Sequence, residues 1–373
     1  MKENRKTKLI LCISLTAVFS GVIAVVVAVC MTALGGNSVS VAVPIDTSFV
    51  SDTEEVLDSE SETVDIDTVI DSETEEISVS GPAKAEEMQV QLDAYLSDIV
   101  LWLEKSIPYY TMPEETDEEG NVTKPSFSYQ PKVTFFYKDL LSGVSMAYNE
   151  DEVLYTASII KEAYILWTLQ QIEEAENEGN ADGSKYDVNN IFIYTEDKYK
   201  SGSGIIQKSE YGTTYTYLDL LRLSITESDN IAFAEIRNIY GRAGFNEFSE
   251  SIGALSPKKS MYSASAKEMS FYLEETYKFF ASGTKYAQML KSWMLSTNHR
   301  IMIPSALSPT PVANKYGWDI GAYHDMAIVL SENPYILVIM TELDRGSNAD
   351  NRFIRELIGK INDAHMAIYG DLK

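Results

Sequence analysis

Two side chains in the segment Tyr155-Thr-Ala-Ser-Ile-Ile-Lys161 can do chemistry together: Ser158 and Lys161, spaced i, i+3. On a helix that starts here they share one face and can meet. A serine hydroxyl is a weak nucleophile at neutral pH and needs a base beside it. Lysine is such a base only when its ammonium is destabilised, by burial or by the positive end of a helix dipole. Backbone N–H groups at the same helix start can hold the oxyanion of an acyl-transfer transition state. Ser158 is therefore a candidate nucleophile and Lys161 its candidate activator.

The spacing by itself is unspecific. Ser256-Pro-Lys-Lys259 and Ser282-Gly-Thr-Lys285 fit it too, and ordinary Ser and Lys frequencies give about one chance match in a chain of this length. Two further groups narrow the choice. Ser228-Asp229-Asn230 falls in a break between two helical patterns, although these residue types also suit a plain capping turn. Lys315-Tyr316-Gly317 lies on a strand pattern, where glycine either admits a ligand close to the backbone or marks a bulge.

In this order the three groups resemble the S-x-x-K, S-D-N and K-T-G set of the penicillin-recognising serine hydrolases, specifically the class A β-lactamase-like family. The resemblance runs from about Lys132 to the C-terminus. Val133-Thr-Phe-Phe-Tyr-Lys-Asp-Leu is similar to the family's first strand, and Tyr217-Leu-Asp-Leu-Leu-Arg-Leu-Ser-Ile-Thr-Glu leads into Ser228 as its helix does. His324-Asp325-Met-Ala-Ile-Val looks like the strand that follows K-T-G. The resemblance implies that Ser158 is acylated, that Lys161 assists proton transfer and that Ser228 relays a proton to the leaving group. It further implies that Asn230 holds a substrate amide and Lys315 attracts a substrate carboxylate. Tyr316 and Gly317 would line the substrate strand, and the N–H groups of Ser158 and Trp318 would form the oxyanion hole.

The sequence departs from that family in ways that bear on turnover. The interval from Asn230 to Lys315 is short, and Leu255-Ser-Pro-Lys-Lys-Ser-Met-Tyr262 runs almost directly into the next helix pattern. The Ω-loop glutamate that positions a hydrolytic water in the family is missing, so acylation is expected to outpace deacylation. Tyr316 replaces a small hydroxyl residue, Trp318 puts a large ring at the oxyanion position, and no arginine occurs from Gly317 to Leu343. Asp319, Asp325 and Glu227 are the possible substitute carboxylates, each also readable as a turn or cap residue. His324 stands at a strand start and is given a structural role.

These side chains need a scaffold. Apolar residues at three- and four-residue spacing predict helices over Ala85–Lys105, Ser158–Glu178, Thr216–Thr226, Ile231–Tyr240, Ala266–Phe280, Tyr286–Leu295 and Asn351–Tyr369. Ser265-Ala-Lys-Glu268 reads as a capping box. Strand patterns cover Val133–Tyr137, Val144–Tyr148, Val312–Tyr316, Met326–Leu330 and Tyr335–Thr341. Strands at both ends with helices between them predict an α/β (α+β) three-layer sandwich. Its mainly antiparallel sheet is flanked by the N- and C-terminal helices, and an all-helical lobe is inserted at about 162–300. The acidic stretch Pro113–Gly120 is expected to be a surface loop.

Composition sets the surroundings. Carboxylates number 56 against 30 basic residues, a net charge of -26. This excludes binding to nucleic acid through the phosphate backbone. Twelve of the carboxylates fall between Ser51 and Ser80, where no basic residue occurs. Both cysteines, Cys12 and Cys30, lie near the N-terminus, so a disulfide framework, a thiol nucleophile and a Cys-ligated metal are not available further on. No metal or cofactor is expected. Leu9 to Leu34 is apolar and uncharged, about 39 Å long as a helix, enough for a bilayer core of ~30 Å. Lys2, Arg5, Lys6 and Lys8 keep the preceding end cytoplasmic.

The expected organisation is a basic tail at 1–8, a membrane anchor at 9–34, an acidic disordered stalk at 35–83 and a serine hydrolase domain at 84–373. A cleaved signal peptide is the alternative to the anchor. The whole reads as a single-pass, extracytoplasmic serine hydrolase for β-lactams or D-Ala-D-Ala-like peptide ends, with D,D-carboxypeptidase as runner-up. A cell-wall sensor or peptidoglycan-binding module that keeps the fold without catalysis is the other class.

Overall fold

The computed structural model describes residues 11–13, 27–29 and 82–370. They belong to two units, Met1–Glu75 and Glu76–Lys373. In the first, Leu11–Ile13 pairs antiparallel with Val27–Val29. Those six residues are extended where the apolar run predicts helix, a conformation that β-branched residues such as valine favour. The rest of the span expected at 9–34 lies outside the described residues, as does the tail at 1–8. So does the expected stalk, apart from Pro82 and Ala83, which begin a helix. Among the described residues no helix is long and apolar enough to cross a membrane.

In the second unit, strands β1 (Val133–Asp139) and β2 (Ser145–Tyr148) come early, and β3 (Val312–Asp319), β4 (Ala322–Val329) and β5 (Tyr335–Thr341) come late. They join in the order β3-β4-β5-β1-β2, antiparallel throughout. This is the sheet closed by distant segments that the pattern predicts. All seven residues of the central strand β5 are buried, which is why it reads as a continuous apolar run rather than an alternation. Ile336, Val338 and Met340 face one core, while Tyr335, Leu337 and Ile339 face the other, the two-residue period of a pleated strand.

The second of these cores is closed by helices α1 (Pro82–Ser106) and α7 (Asn348–Ala367), which pack on each other. Leu92, Ile99 and Leu103 of α1 meet Leu357, Ile358 and Ile361 of α7 there. On the opposite face lie α2 (Ile160–Asn177), α3 (Tyr217–Thr226), α4 (Asn230–Tyr240), α5 (Ala266–Ser282) and α6 (Lys285–Leu295). α5 rests on β1, β4 and β5, and α6 on β3. Ser265 and Glu268 form the expected capping box at the start of α5.

α2 is the axis of the helical lobe. Every residue from Ile160 to Leu169 is buried, the mark of a helix surrounded on all sides rather than lying on a surface. Two charged positions, Lys161 and Glu162, are therefore carried into the interior with it.

Two segments differ from the sequence expectation. The acidic stretch around 113–120 is not an open loop. Tyr110–Met112 pairs with Phe127–Tyr129 and Glu115–Thr116 with Val122–Lys124, so the Thr, Val and aromatic residues flanking it make the arms of a ribbon whose tip carries the acids. Ala243–Ser251 is an additional helix. Its polar, glycine-containing sequence hides it, yet Gly244 has a packing reason: a Cβ there would sit 2.7 Å from Cζ2 of Trp167.

The core assignment predicts that Leu92→Ala, at a fully buried site, costs about 2–5 kcal/mol in urea unfolding. Val90→Ala, two positions away and 65 % exposed, should stay within about 0.5 kcal/mol of the parent. Equal effects would contradict the packing of α1 on the sheet.

Candidate active site

The chain enters α2 through a strained turn. Ala157 has φ of 46°, a left-handed conformation that costs an L-residue roughly 1–2 kcal/mol, and Ser158 follows at the mouth of the helix. The edge strand β3 closes on this turn. A Cβ at Gly317 would lie 3.1 Å from the Ser158 nitrogen and 3.0 Å from that of Ile159. Only glycine lets the strand backbone come this near to Ser158 without displacing it.

Ser228-Asp229-Asn230 occupies the break between α3 and α4, and Asp229 fixes it there. One carboxylate oxygen accepts from Ile231 and Ala232 N–H at 2.9 and 3.0 Å, capping α4. The other accepts from Ile205 and Ile206 N–H at 2.7 and 2.9 Å, tying down a loop more than twenty residues upstream. Asn230 completes the tie, with its N–H donating to Ser203 O and its Nδ2 to Ser201 O, both at 3.0 Å. The loop comes this close because it carries glycine. A Cβ on Gly204 would be 2.2 Å from Asp229 Oδ2, and one on Gly202 would be 2.6 Å from Asn230 Nδ2.

Two lysines meet at Ser228, which has φ of 52°. Lys161 Nζ donates to Ser228 O at 2.5 Å and to Asn230 Oδ1 at 2.8 Å, and lies 3.4 Å from Ser228 Oγ. Lys315 Nζ reaches the same Oγ at 3.0 Å and Tyr316 O at 2.8 Å. Both lysines are buried. Burial first, and then the charge of Lys315, hold Lys161 far below the ordinary lysine range, against the pull of Asp229. Burial brings Lys315 down to about 7, with Asp325 and Glu162 pulling the other way. Both lysines are thus pushed toward the neutral amine. The Lys161 Nζ bonds run to Ser228 and Asn230, and the bond to Ser158, the neighbour that the i, i+3 spacing suggests, is from the Lys161 backbone N–H to Ser158 O at 3.3 Å.

A cleft of about 1010 Å³ opens in front of this group. Ser158, Lys161, Asn230 and Trp318 line it, while Ser228 and Lys315 are buried directly behind Lys161. Gly317 lies under Ser158. Tyr316 is turned out of the cleft, packed beside His299 and Tyr323 with the Arg345 guanidinium 5.6 Å from its ring centre. Arg345 also lies 4.9 Å from the Trp318 ring centre, so a cation does stand at this strand, two residues past the interval without arginine.

The substitute carboxylates are accounted for individually. Asp325 is buried behind Lys315, bonded by Asn314 Nδ2 and Ile303 N–H at 2.9 and 3.0 Å, and burial raises it to about 7. Glu227 accepts from Asn298. Asp319 reaches the cleft, where it accepts from Tyr155 OH at 3.3 Å. His324 is structural: Nδ1 accepts from Thr341 N–H at 3.0 Å and Nε2 bonds to Tyr155 O at 2.7 Å. Burial lowers it to about 4, so the ring is neutral.

Sequence reading missed part of the wall. Arg237 donates to Tyr262 OH at 2.7 Å, and its guanidinium lies near the rings of Phe233 and Tyr262. Asn230, Phe233 and Arg237 follow the i, i+3, i+7 spacing of one helix face, a signal that was present once α4 was recognised. The glycines of Ser201-Gly-Ser-Gly204 carried a second one. The two other pairs of this spacing are elsewhere: Ser256 and Lys259 begin and end a short helix, and Lys285 pairs with Glu176.

The contact between Gly204 and Asp229 gives a direct check. Gly204→Ala and Gly212→Ala both force alanine into positive φ, at 116° and 95°, but a Cβ at Gly212 has open space. In urea unfolding Gly212→Ala should cost roughly 1–3 kcal/mol of backbone strain, and Gly204→Ala about 2 kcal/mol more. Indistinguishable losses would contradict the tie between the loop and Asp229.

Comparison with known proteins agrees with this geometry. No curated protein matches the chain in sequence. A structure of a PBP-A mutant as its acyl-enzyme complex with penicillin G is similar, with a TM-score of 0.58 and 18 % identity over 74 % of this chain and 97 % of that one. A β-lactamase from Sphaerobacter thermophilus aligns with a TM-score of 0.54 and 16 % identity over 63 % of this chain and 90 % of its own. One from Burkholderia phymatum gives 0.52 and 19 % over 63 % and 92 %. At these identities the likeness speaks for the fold. The family profile reaches further, matching residues 122–366, which hold both lysines, Ser158 and Ser228. The chain belongs to the Beta-lactamase enzyme family.

Proposed function

We propose that Ser158 attacks the carbonyl carbon of an amide and is acylated by it, with β-lactams or D-Ala-D-Ala-like peptide ends as substrates. The observation that carries this reading is the convergence of Lys161 and Lys315 on Ser228 beside the Ser158 cleft. A neutral Lys161 spends its two N–H groups on Ser228 O and Asn230 Oδ1. Its lone pair is left to take the Ser158 proton, directly or through Ser228 Oγ. As the tetrahedral carbon collapses, Ser228 gives a proton to the departing nitrogen and regains one from a lysine. The N–H groups of Ser158 and Trp318 hold the oxyanion. Lys315 draws the substrate carboxylate, and Asn230 with the cleft face of α4 takes the acyl side chain.

Release of the acyl group is slow on this reading. Among the described residues lining the cleft, Asp319 is the one carboxylate, and it is engaged with Tyr155 OH and the Ile320 N–H. Glu162 is buried toward Thr276. Among the described residues no free carboxylate lines the cleft to activate water against an ester at Ser158. The anchor at 9–34 and the stalk at 35–83 would hold the domain at 84–373 outside the cell membrane. Lys2, Arg5, Lys6 and Lys8 ahead of an uncharged apolar run support that topology. The full-length chain should then sediment with membranes, whereas a shortened chain in the medium would establish cleavage instead.

Intact-mass spectrometry after exposure to benzylpenicillin should show one added penicillin on the parent chain and none on Ser158→Ala, with the adduct persisting for hours. An adduct on Ser158→Ala, or none on the parent at millimolar penicillin, would sink the acylation step. Rapid loss of the adduct would sink the slow-release step alone.

The second-order rate of acylation should follow a bell in pH. It rises as Lys161 loses its proton, well below the ordinary lysine range, and falls above about 7 as Lys315 loses the charge that attracts the carboxylate. A rate that climbs steadily to pH 10 would show that Lys161 titrates as an ordinary lysine.

A further inference from the structure

The chain has eight arginines, and four of them, Arg300, Arg345, Arg352 and Arg355, line one cleft of about 530 Å³. Among the described residues no carboxylate lines it with them. Among the described residues the arginine in an ion pair is Arg222, with Asp219, and Glu356, next to Arg355, is paired with Lys360. In a chain of net charge -26, four neighbouring cations left without a counter-charge are not explained by charge balance within the fold. Their repulsion is a cost that a bound anion would remove.

The cleft is also built rather than incidental. Arg300 Nη1 is anchored by Leu295 O and Val312 O at 2.6 and 3.1 Å. Arg345 is held over the Trp318 and Tyr316 rings. Asn351 braces the floor, accepting from Tyr323 OH at 2.9 Å and donating to Arg345 O at 3.0 Å. Arg352 and Arg355, exposed and spaced i, i+3 on α7, share one face of the helix. Planar guanidinium groups match phosphate oxygens in pairs.

We propose that this cleft is a binding site for a ligand carrying two or more phosphate groups. One phosphate, with a charge of about -1.5 to -2, would leave much of the cationic field unanswered. The volume suits a small-molecule-sized anion or the end of a phosphate polymer. This site is separate from the Ser158 cleft and does not depend on the acylation reading.

Calorimetric titration of the full chain at fixed ionic strength tests it, with tripolyphosphate as the probe and citrate as a non-phosphate polyanion. Tripolyphosphate should bind at one site with Kd below about 100 μM. The double variant Arg352→Gln, Arg355→Gln should weaken it at least about tenfold. Both side chains are exposed, so the unfolding midpoint and penicillin labelling should be unchanged. No binding at millimolar tripolyphosphate, an unaltered Kd in the double variant, or citrate binding as tightly would overturn the proposal.

Discussion

Lys161 and Lys315 end on the hydroxyl of Ser228, and at that separation inside the protein both cannot keep a full charge. The conflict originates in α2. Because that helix is surrounded, Lys161 is withdrawn from water except at the cleft and finds its partners within the lobe. It finds carbonyl oxygens, on Ser228 and Asn230, which suit an amine as well as an ammonium. Burial lowers Lys315 too, with Asp325 and Glu162, two buried acids, pulling the other way. The arrangement is costly. With a folded value of about 7 against an unfolded 10.5, Lys315 alone destabilises the fold by several kcal/mol. That cost is present in full below pH 7 and disappears as pH rises through the unfolded value. Such a site persists only because the rest of the domain holds it.

The holding elements are few and identifiable. Asp229 turns its two oxygens into four backbone hydrogen bonds, so Ser228 and Asn230 on either side of it have little freedom. Gly317 brings β3 against the start of α2, and Gly204 brings the upstream loop against Asp229. Among the described residues three non-glycine positions have positive φ, and two of them, Ala157 and Ser228, belong to the site while Asn149 does not. The features that depart from the wider family are coupled as well. Tyr316 is accommodated because it turns toward His299 and Arg345, and Trp318 receives the same arginine on its face. Arg237 and Tyr262 stand together on the cleft wall, joined by a hydrogen bond.

The parts legible in the sequence were those written in local patterns. The sheet followed from two-residue alternation and apolar runs, and the helices from three- and four-residue spacing. The groups around Ser158, Ser228 and Lys315 are short motifs on those elements, and the fold brings them together. What stayed hidden depends on contacts between distant residues. Gly244 looks like a helix breaker until the Trp167 ring is laid against it. Arg345 lies outside the strand it serves, and no spacing rule connects it to Trp318. Arg300 and Arg352 are 52 positions apart in sequence yet share one cleft. The i, i+3 spacing brings Ser158 and Lys161 to one cleft, but it does not reveal the Nζ bonds that Lys161 makes to Ser228 and Asn230.

The central claim concerns a proton, and it can be measured directly. Lysine labelled with carbon-13 at Cε reports the charge on Nζ during an NMR titration, and Lys161→Met and Lys315→Met identify the two buried signals. The account predicts a Lys161 resonance that is already neutral at pH 7, and that shifts toward the ordinary lysine range when Lys315 is replaced. A Lys161 resonance that stays charged to pH 9 in the parent chain would contradict it.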